Sequence, residues 1–271
     1  MKKLVLLAAF IAAPLTQLQA QKKIEVAEIW NGTFRTNQLN ALNTLHTKNE
    51  YSVLNYDQKS RTFTIDAYDF TTLEKTKTLF NSKNFSELEG IDDYSINKTD
   101  DKILIATNST PIYRHSFTAV YYLYDIKTNS LTKVSNNAIQ EPLLTADGSK
   151  IAYAFENNIY VFDVNKKATT QVTNDGAYNK VINGITDWVY EEEFAFVRSF
   201  DWNADGTQLA YVRFDESDVP TFSMDIYGNE LYPSQQVFKY PKAGENNSKV
   251  SLHLYDVSKA STQNVALNET K

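Results

Sequence analysis

Ala146–Tyr153 reads Ala-Asp-Gly-Ser-Lys-Ile-Ala-Tyr, and Ala204–Tyr211 reads Ala-Asp-Gly-Thr-Gln-Leu-Ala-Tyr. In both stretches an Asp-Gly turn leads into an apolar strand at the same offset, and the two copies begin 58 residues apart. A degenerate third copy is Asp100–Ala106. The pattern predicts several similar units of short strands joined by tight turns.

A second pattern, aromatic–Asp–apolar followed by polar turn residues, ends four predicted strands: Tyr68–Phe70, Tyr124–Ile126, Phe162–Val164 and Tyr255–Val257. The successive Asp residues are 56, 38 and 93 residues apart. Four-stranded units that recur every ~40–60 residues are typical of β-propeller blades, which must stack because a single blade cannot bury both of its faces. A β-sandwich with similar hairpins is the alternative, and the irregular spacing leaves it open.

Other segments agree with an all-β fold. Tyr51–Asn55 and Thr62–Asp66 alternate as strands across a predicted hairpin loop, and the Thr content of Thr71–Lys83 argues against a helix there. The Pro-rich, aromatic stretch Phe214–Lys249 is predicted to leave a blade and to pack on its own propeller or on a partner. At ~40–60 residues a unit, residues 21–271 predict a partial propeller of about four to five blades.

The composition excludes some classes of function. A net charge of -6 argues against nucleic-acid binding, because no basic stripe is present to neutralise phosphates. The 17 Tyr and 15 Phe residues favour strands. The absence of Cys excludes disulfides and a thiol nucleophile.

The N-terminus predicts export. Lys2 and Lys3 precede an apolar run, Leu4–Ala13, that is too short to span a bilayer as a helix. Residues 1–20 are therefore predicted to be a signal peptide cleaved after Ala20, with retention as an N-terminal anchor as the alternative. The expected location is the bacterial periplasm or cell surface.

Asn183–Phe194, Asn-Gly-Ile-Thr-Asp-Trp-Val-Tyr-Glu-Glu-Glu-Phe, contains three consecutive carboxylates between aromatic residues. Like-charge repulsion within such a run is tolerated where a cation is bound or where carboxylate pKa values are raised. The simpler interpretation is a charged loop tip beside a core aromatic residue.

Four segments together resemble the dipeptidyl peptidase IV family of prolyl-oligopeptidase-type serine peptidases: Tyr113–Ala119, Asn183–Glu193, Asp215–Pro220 and Tyr240–Gly244. The resemblance runs from about Ile29 to the C-terminus. It implies that residues 21–271 are part of an eight-bladed N-terminal propeller, with the Glu motif on a short helical insertion. The family's C-terminal α/β-hydrolase domain, which carries the catalytic Ser, Asp and His, is expected to be absent from this chain.

The resemblance also implies roles for individual residues. Glu192 and Glu193 match the pair that binds the free α-ammonium of a peptide, and Arg114 matches the Arg that contacts the bound dipeptide's carbonyl. Two carboxylates suit an ammonium group, which carries one positive charge and three N–H donors. Glu191 is expected to be structural or solvated. The alternative is that Arg114 is only a structural ion-pair partner.

No Gly-x-Ser-x-Gly nucleophile motif occurs in the sequence, and no metal or cofactor is predicted. The family resemblance implies a dipeptidyl peptidase that releases Xaa-Pro or Xaa-Ala dipeptides, of which this chain is the substrate-recognition part and inactive alone. Alternatives are a non-catalytic propeller that binds peptide N-termini and a purely structural propeller. Expected partners are peptides with a free N-terminus, the missing hydrolase domain, and a second copy that contacts Phe222–Gln236.

Overall fold

The structure is a computed structural model that describes residues 23–36, 39–88 and 90–266. The chain divides into two compact units, Met1–Asn40 and Ala41–Lys271. In the first unit, helix α1 (Val26–Trp30) follows Glu25, whose backbone N–H donates to the Glu28 carboxylate at 3.2 Å. The predicted signal peptide and its cleavage after Ala20 lie outside the described residues. Within the described ranges, no helix has the length and apolarity needed to cross a membrane.

In the second unit, the described residues form four larger antiparallel sheets in chain order, each from one stretch of sequence, and one two-stranded sheet. The first sheet contains β1 (Leu42–Thr44), β2 (Glu50–Asp57), β3 (Thr62–Asp69) and β4 (Lys75–Asn81), with a 3-10 turn at Ser82–Asn84. The second contains β5 (Asp93–Ile96), β6 (Lys102–Pro111), β7 (Phe117–Asp125) and β8 (Ser130–Lys133). The third contains β9 (Gln140–Leu144), β10 (Lys150–Phe155), β11 (Asn158–Asp163) and β12 (Ala168–Gln171). Each is a meander in which neighbouring strands pair.

The fourth sheet is a meander with two excursions. Its strands are β13 (Val181–Asn183), β14 (Phe200–Trp202), β15 (Gln208–Asp215), β18 (Lys249–Asp256) and β19 (Ser261–Val265). Both β13 and β14 pair with β15, one along each half of its length, so the edge strand is interrupted rather than doubled. Helix α2 (Trp188–Phe194) lies between β13 and β14 in the chain. A hairpin of β16 (Thr221–Ile226) and β17 (Ser234–Lys239) lies between β15 and β18.

The aromatic–Asp–apolar pattern marks the end of the third strand of each sheet. All four Asp carboxylates accept hydrogen bonds from the backbone N–H groups two and three residues further along the chain. These bonds satisfy the N–H groups where the chain leaves the ladder, and a short polar loop then leads to the fourth strand. The repeat is therefore a repeated turn with one physical cause.

The Asp-Gly pattern marks the turn before the second strand of a sheet. Gly148 and Gly206 have φ angles of 69° and 62°, and Asp100 occupies the same place in the second sheet with φ 54°. The N–H of each of these residues donates to the carbonyl three residues earlier. The left-handed conformation favours Gly and tolerates Asp, which explains why Asp100–Ala106 is a degenerate copy.

Successive side chains of the second strand of a sheet point to opposite faces, so this strand packs against a neighbouring sheet on each side. In β6, Ile103 and Ile105 pack against the first sheet, and Leu104 and Ala106 pack against the third. In β10, Ala152 packs against the fourth sheet, while Ile151 and Tyr153 pack against the second. Sheets buried on two faces by two neighbours are propeller blades, whereas a sheet of a sandwich has one facing partner.

The all-β partial propeller predicted from the sequence is confirmed, including the short helical insertion that carries the Glu motif. The described residues contain four blades, the lower end of the predicted range. The predicted hairpin of Tyr51–Asn55 and Thr62–Asp66 forms with Asp57 opposite Thr62. Thr71–Lys83 contains a strand and no α-helix.

We predict that Gly206→Ala destabilises the chain. Gly206 has a positive φ, and an added Cβ would lie 2.6 Å from Cγ2 of Thr145 in the neighbouring blade. Left-handed conformations of non-Gly residues alone cost about 1–3 kcal/mol. Urea unfolding should show at least this loss, whereas Gly228→Ala, which meets nothing within 4 Å, should leave the midpoint within the error of the measurement. Equal midpoints for the two variants would contradict the turn assignment.

Candidate functional site

The acidic motif forms the excursion between β13 and β14, and its first residues anchor the excursion to the third blade. Asn183 is fully buried; its backbone N–H donates to the Asn157 carbonyl at 3.0 Å, and its side chain donates to Asp175 at 2.9 Å. Gly184 has φ 77°, and a Cβ there would lie 2.7 Å from the Ile159 side chain. The Asn-Gly pair is therefore required by the close approach of two blades.

Helix α2 begins and ends at defined residues. The Asp187 side chain accepts from the Tyr190 N–H at 3.0 Å as the N-cap, and the Ser248 hydroxyl donates to the same carboxylate. Ala195 ends the helix in the left-handed conformation. The Tyr190 ring packs on Phe214 at a centroid distance of 5.0 Å. The helix is thus fixed to the blade through its cap and one buried face.

Glu191 joins helix α2 to the second blade. Its side chain is buried, and its Oε1 accepts from the backbone N–H groups of His115 and Ser116, both at 2.8 Å. Bonds from two N–H groups to an ionised acceptor are among the stronger hydrogen bonds in proteins. Of the two roles expected from the sequence, the structural one is correct and the solvated one is wrong. The sequence contains no signal that identifies the partner segment, because the partners are backbone groups 75 and 76 residues away.

Arg114 is placed by the Glu191 contact and pairs with the next residue of the helix. One Arg114 guanidinium nitrogen lies 2.9 Å from Oε1 of Glu192, and the Arg114 side chain is 70% exposed. Glu193 is exposed, and among the described residues its carboxylate has no hydrogen bond or ion pair. The structure therefore brings Arg114 and Glu192 together, with Glu193 beside them on the helix. An exposed pair of this kind contributes about 0–1 kcal/mol, so Arg114 can exchange partners at little cost.

The charge at this surface favours a cation. Glu192 and Glu193 lie in the last turn of α2, which contains no basic residue and where the helix dipole is negative. Arg114 pairs with Glu192, and the adjacent Glu193 carboxylate has no positive partner among the described residues. In the described ranges, no group of three His, Cys, Asp or Glu side chains is placed to hold a metal ion.

The β16–β17 hairpin supports both halves of the site. Phe238 of β17 contacts Trp188, the first residue of α2, at a centroid distance of 6.0 Å and Tyr113, next to Arg114, at 6.1 Å. Tyr240 contacts Trp188 at 4.6 Å. Of the two alternatives for the excursion predicted in Phe214–Lys249, packing on its own propeller occurs at this end of the hairpin.

We predict that Glu191→Ala unfolds more easily than the wild-type chain. The substitution leaves two backbone N–H groups without an acceptor, and a buried unpaired donor costs about 1–3 kcal/mol. Chemical unfolding monitored by fluorescence should show a loss in this range or above. The matched control is Glu193→Ala on the exposed side of the same helix, for which a change within about ±0.5 kcal/mol is expected. An equally small effect at Glu191 would contradict its bridging role.

Comparison with known proteins places the chain in a family. Residues 97–271 match the family described as dipeptidyl peptidase IV (DPP IV) N-terminal region. The chain is 31% identical over 241 residues to prolyl endopeptidase FAP of Mus musculus, covering 88% of this chain and 30% of that protein. It is 36% identical over 178 residues to dipeptidyl peptidase 4 of Felis catus, covering 63% of this chain and 23% of that protein.

The solved structures agree with this assignment. The chain is similar to the crystal structure of Porphyromonas gingivalis dipeptidyl peptidase 4, with a TM-score of 0.85 and 36% identity, over 92% of this chain and 36% of that one. A putative dipeptidyl aminopeptidase IV from Bacteroides ovatus ATCC 8483 shares the fold at 18% identity and a TM-score of 0.55, over 86% of this chain and 31% of that one. The chain spans less than a third of each of these two curated relatives. It belongs to the dipeptidyl peptidase IV N-terminal region family.

Proposed function

We propose that this chain is the part of an exported dipeptidyl-peptidase-IV-like serine exopeptidase that captures the substrate's N-terminus. The enzyme would release Xaa-Pro or Xaa-Ala dipeptides, and this chain alone would bind peptides without cleaving them. The observation that supports the proposal is the pair Glu192 and Glu193 beside Arg114, one positive charge short of neutrality. A peptide α-ammonium supplies that charge.

The proposed contacts follow from donor and acceptor counts. An ammonium group has three N–H donors, of which Glu192 and Glu193 would accept two. Arg114 has five guanidinium donors, and only one contact to Glu192 is formed in the free chain, so the remaining donors are free to reach a peptide carbonyl oxygen. Fixing both groups would define the distance from the N-terminus to the peptide bond that is cleaved, which is catalysis by positioning.

The second candidate is a propeller that binds peptide N-termini and takes no part in hydrolysis. The same carboxylate pair supports both proposals, so binding alone does not separate them. They are separated by the coding sequence after the codon for Lys271, where an in-frame Gly-x-Ser-x-Gly motif favours the peptidase and a stop codon without an adjacent peptidase favours the binding module.

We predict that the purified 271-residue chain binds Gly-Pro-p-nitroanilide without releasing nitroaniline. Calorimetry measures the binding, and absorbance measures release over hours. N-acetylation of the probe removes the positive charge, and the loss of charge-assisted bonds worth about 1.5–3 kcal/mol should weaken binding at least tenfold. Turnover that a serine-directed inhibitor abolishes would overturn the claim that this chain is inactive alone.

The binding site is tested with charge-removing variants of the same shape. Glu192→Gln combined with Glu193→Gln should remove the preference for the free ammonium over the acetylated probe. The matched control is Glu74→Gln, an exposed carboxylate on the first blade, which should leave the preference unchanged. Unchanged affinity for the peptide probe in the double variant would show that Glu192 and Glu193 do not bind its ammonium group, and would support a purely structural propeller.

We also propose that the hairpin tip contacts a second copy of the chain. Tyr227, Leu231 and Tyr232 are 79%, 89% and 79% exposed, and clustered exposed apolar side chains are typical of protein–protein contacts. We predict a dimer by light scattering and a monomer for Leu231→Asp combined with Tyr232→Asp. A monomeric wild-type chain would contradict this proposal and leave the binding proposal unaffected.

A further inference from the structure

A cavity of about 220 Å³ lies beneath helix α2, on the side opposite the exposed Glu193. Three carboxylates line it: Asp187 and Glu191 from the helical excursion, and Glu216, the residue that follows β15. Glu192, Glu193 and Arg114 do not line it. The cavity is therefore distinct from the surface proposed to bind peptide N-termini.

Glu216 differs from the other two carboxylates in having no partner. Asp187 caps the helix and accepts from Ser248, and Glu191 accepts two backbone N–H groups. The residue Glu216 is 5% exposed, yet its carboxylate makes no hydrogen bond or ion pair within the described part of the chain. Buried carboxylates are normally hydrogen-bonded or paired, so an unpaired carboxylate that faces a cavity is available to a cationic partner.

The basic side chain that lines the cavity does not pair with Glu216. Lys239 also lines the cavity, but its ammonium donates to the Val219 carbonyl at 2.7 Å and to the Ser217 carbonyl at 3.3 Å. It forms no ion pair with Glu216 within 4.0 Å. Among the described lining residues, three carboxylates thus face one ammonium group, and that ammonium is satisfied by backbone carbonyls.

The walls of the cavity select the kind of cation. The rings of Tyr113, Trp188 and Phe238 line it, and aromatic faces attract organic cations while they cannot replace the oxygen shell of an alkali metal ion. The described residues also lack a cluster of acidic side chains placed to hold a metal. We propose that this cavity binds a small alkylammonium ion, with the Glu216 carboxylate as its counter-ion and the three aromatic rings against its alkyl group.

The protonation of Glu216 makes the proposal measurable. Burial, reinforced by the nearby Asp187 carboxylate and opposed by Lys239, raises the pKa of Glu216 to about 7. At neutral pH the group is therefore partly protonated. A bound cation favours the ionised form and lowers the pKa, so binding releases protons and strengthens as the pH rises through 7. The groups that face Glu216 are Asp187, Asp215, Lys239, Glu191, Tyr113 and Tyr178.

The experiment titrates methylammonium chloride into the full 271-residue chain by calorimetry, at constant ionic strength set with NaCl. At pH 7, the heat should depend on the ionisation enthalpy of the buffer in the direction of proton release. Affinity should be at least tenfold higher at pH 8 than at pH 5.5. The proposal would be overturned if the titration gave no saturable heat, or if it gave heat without proton release. Both outcomes are measured on the wild-type chain.

Glu216→Gln should weaken methylammonium binding at least tenfold and abolish the proton release. Glu74→Gln, the exposed carboxylate on the first blade, should retain both. Glu192→Gln combined with Glu193→Gln should retain the proton release, because that release comes from Glu216, and this result separates the cavity from the peptide site. Titration of KCl in place of methylammonium chloride should produce no heat comparable to that of methylammonium binding. Equal binding by Glu216→Gln, or an equal response to K⁺, would show that the ligand is not an alkylammonium ion held by Glu216.

Discussion

A sheet with apolar residues on both faces is stable only between two other sheets, and this constraint organises the second unit of the chain. Ile103 and Leu104 point in opposite directions from β6 and are both buried, one against the first blade and the other against the third. Burial of one such side chain contributes about 1.5–3 kcal/mol, and the contribution depends on the neighbour being present. The same stacking restricts the turns that connect strands, because a side chain at Gly206 would collide with Thr145 of the neighbouring blade.

The site uses this rigid stack to hold an exposed charge pattern. The excursion between β13 and β14 leaves the fourth blade, and Glu191 attaches it to the backbone of the second blade, next to Arg114. The buried Glu191 thereby sets the position of the exposed residues that follow it in the motif. Three adjacent glutamates have three environments: one is buried and bonded to N–H groups, one is half-buried and paired with Arg114, and one is exposed.

Much of this could be predicted from the sequence, because the signals are local. The Asp turns and the alternation of β6 and β10 depend on residues a few positions apart, and the repeated turns favour blades while they leave a β-sandwich open. The resemblance selected Glu192, Glu193 and Arg114, and the structure brings the ion pair together. The bonding partners of Glu191 and the isolation of Glu216 could not be predicted. Both depend on which distant groups lie within 3 Å of a carboxylate, and a sequence records the carboxylate but not its surroundings.

The interrupted edge strand has a consequence for how such a site can vary. Strands β13 and β14 bond to opposite halves of β15, so the register of the blade is set on each side of the excursion independently of what lies between them. The helix can lengthen, shorten or change its charges while Val181–Asn183 and Phe200–Trp202 keep the same partners. The strand register and the exposed charges are thus encoded in separate residues of one continuous segment. A different loop grafted between Gly184 and Ser199, where a backbone N–H···O=C bond of 2.8 Å closes the base, would keep the register but lose the bonds of Glu191 to the second blade.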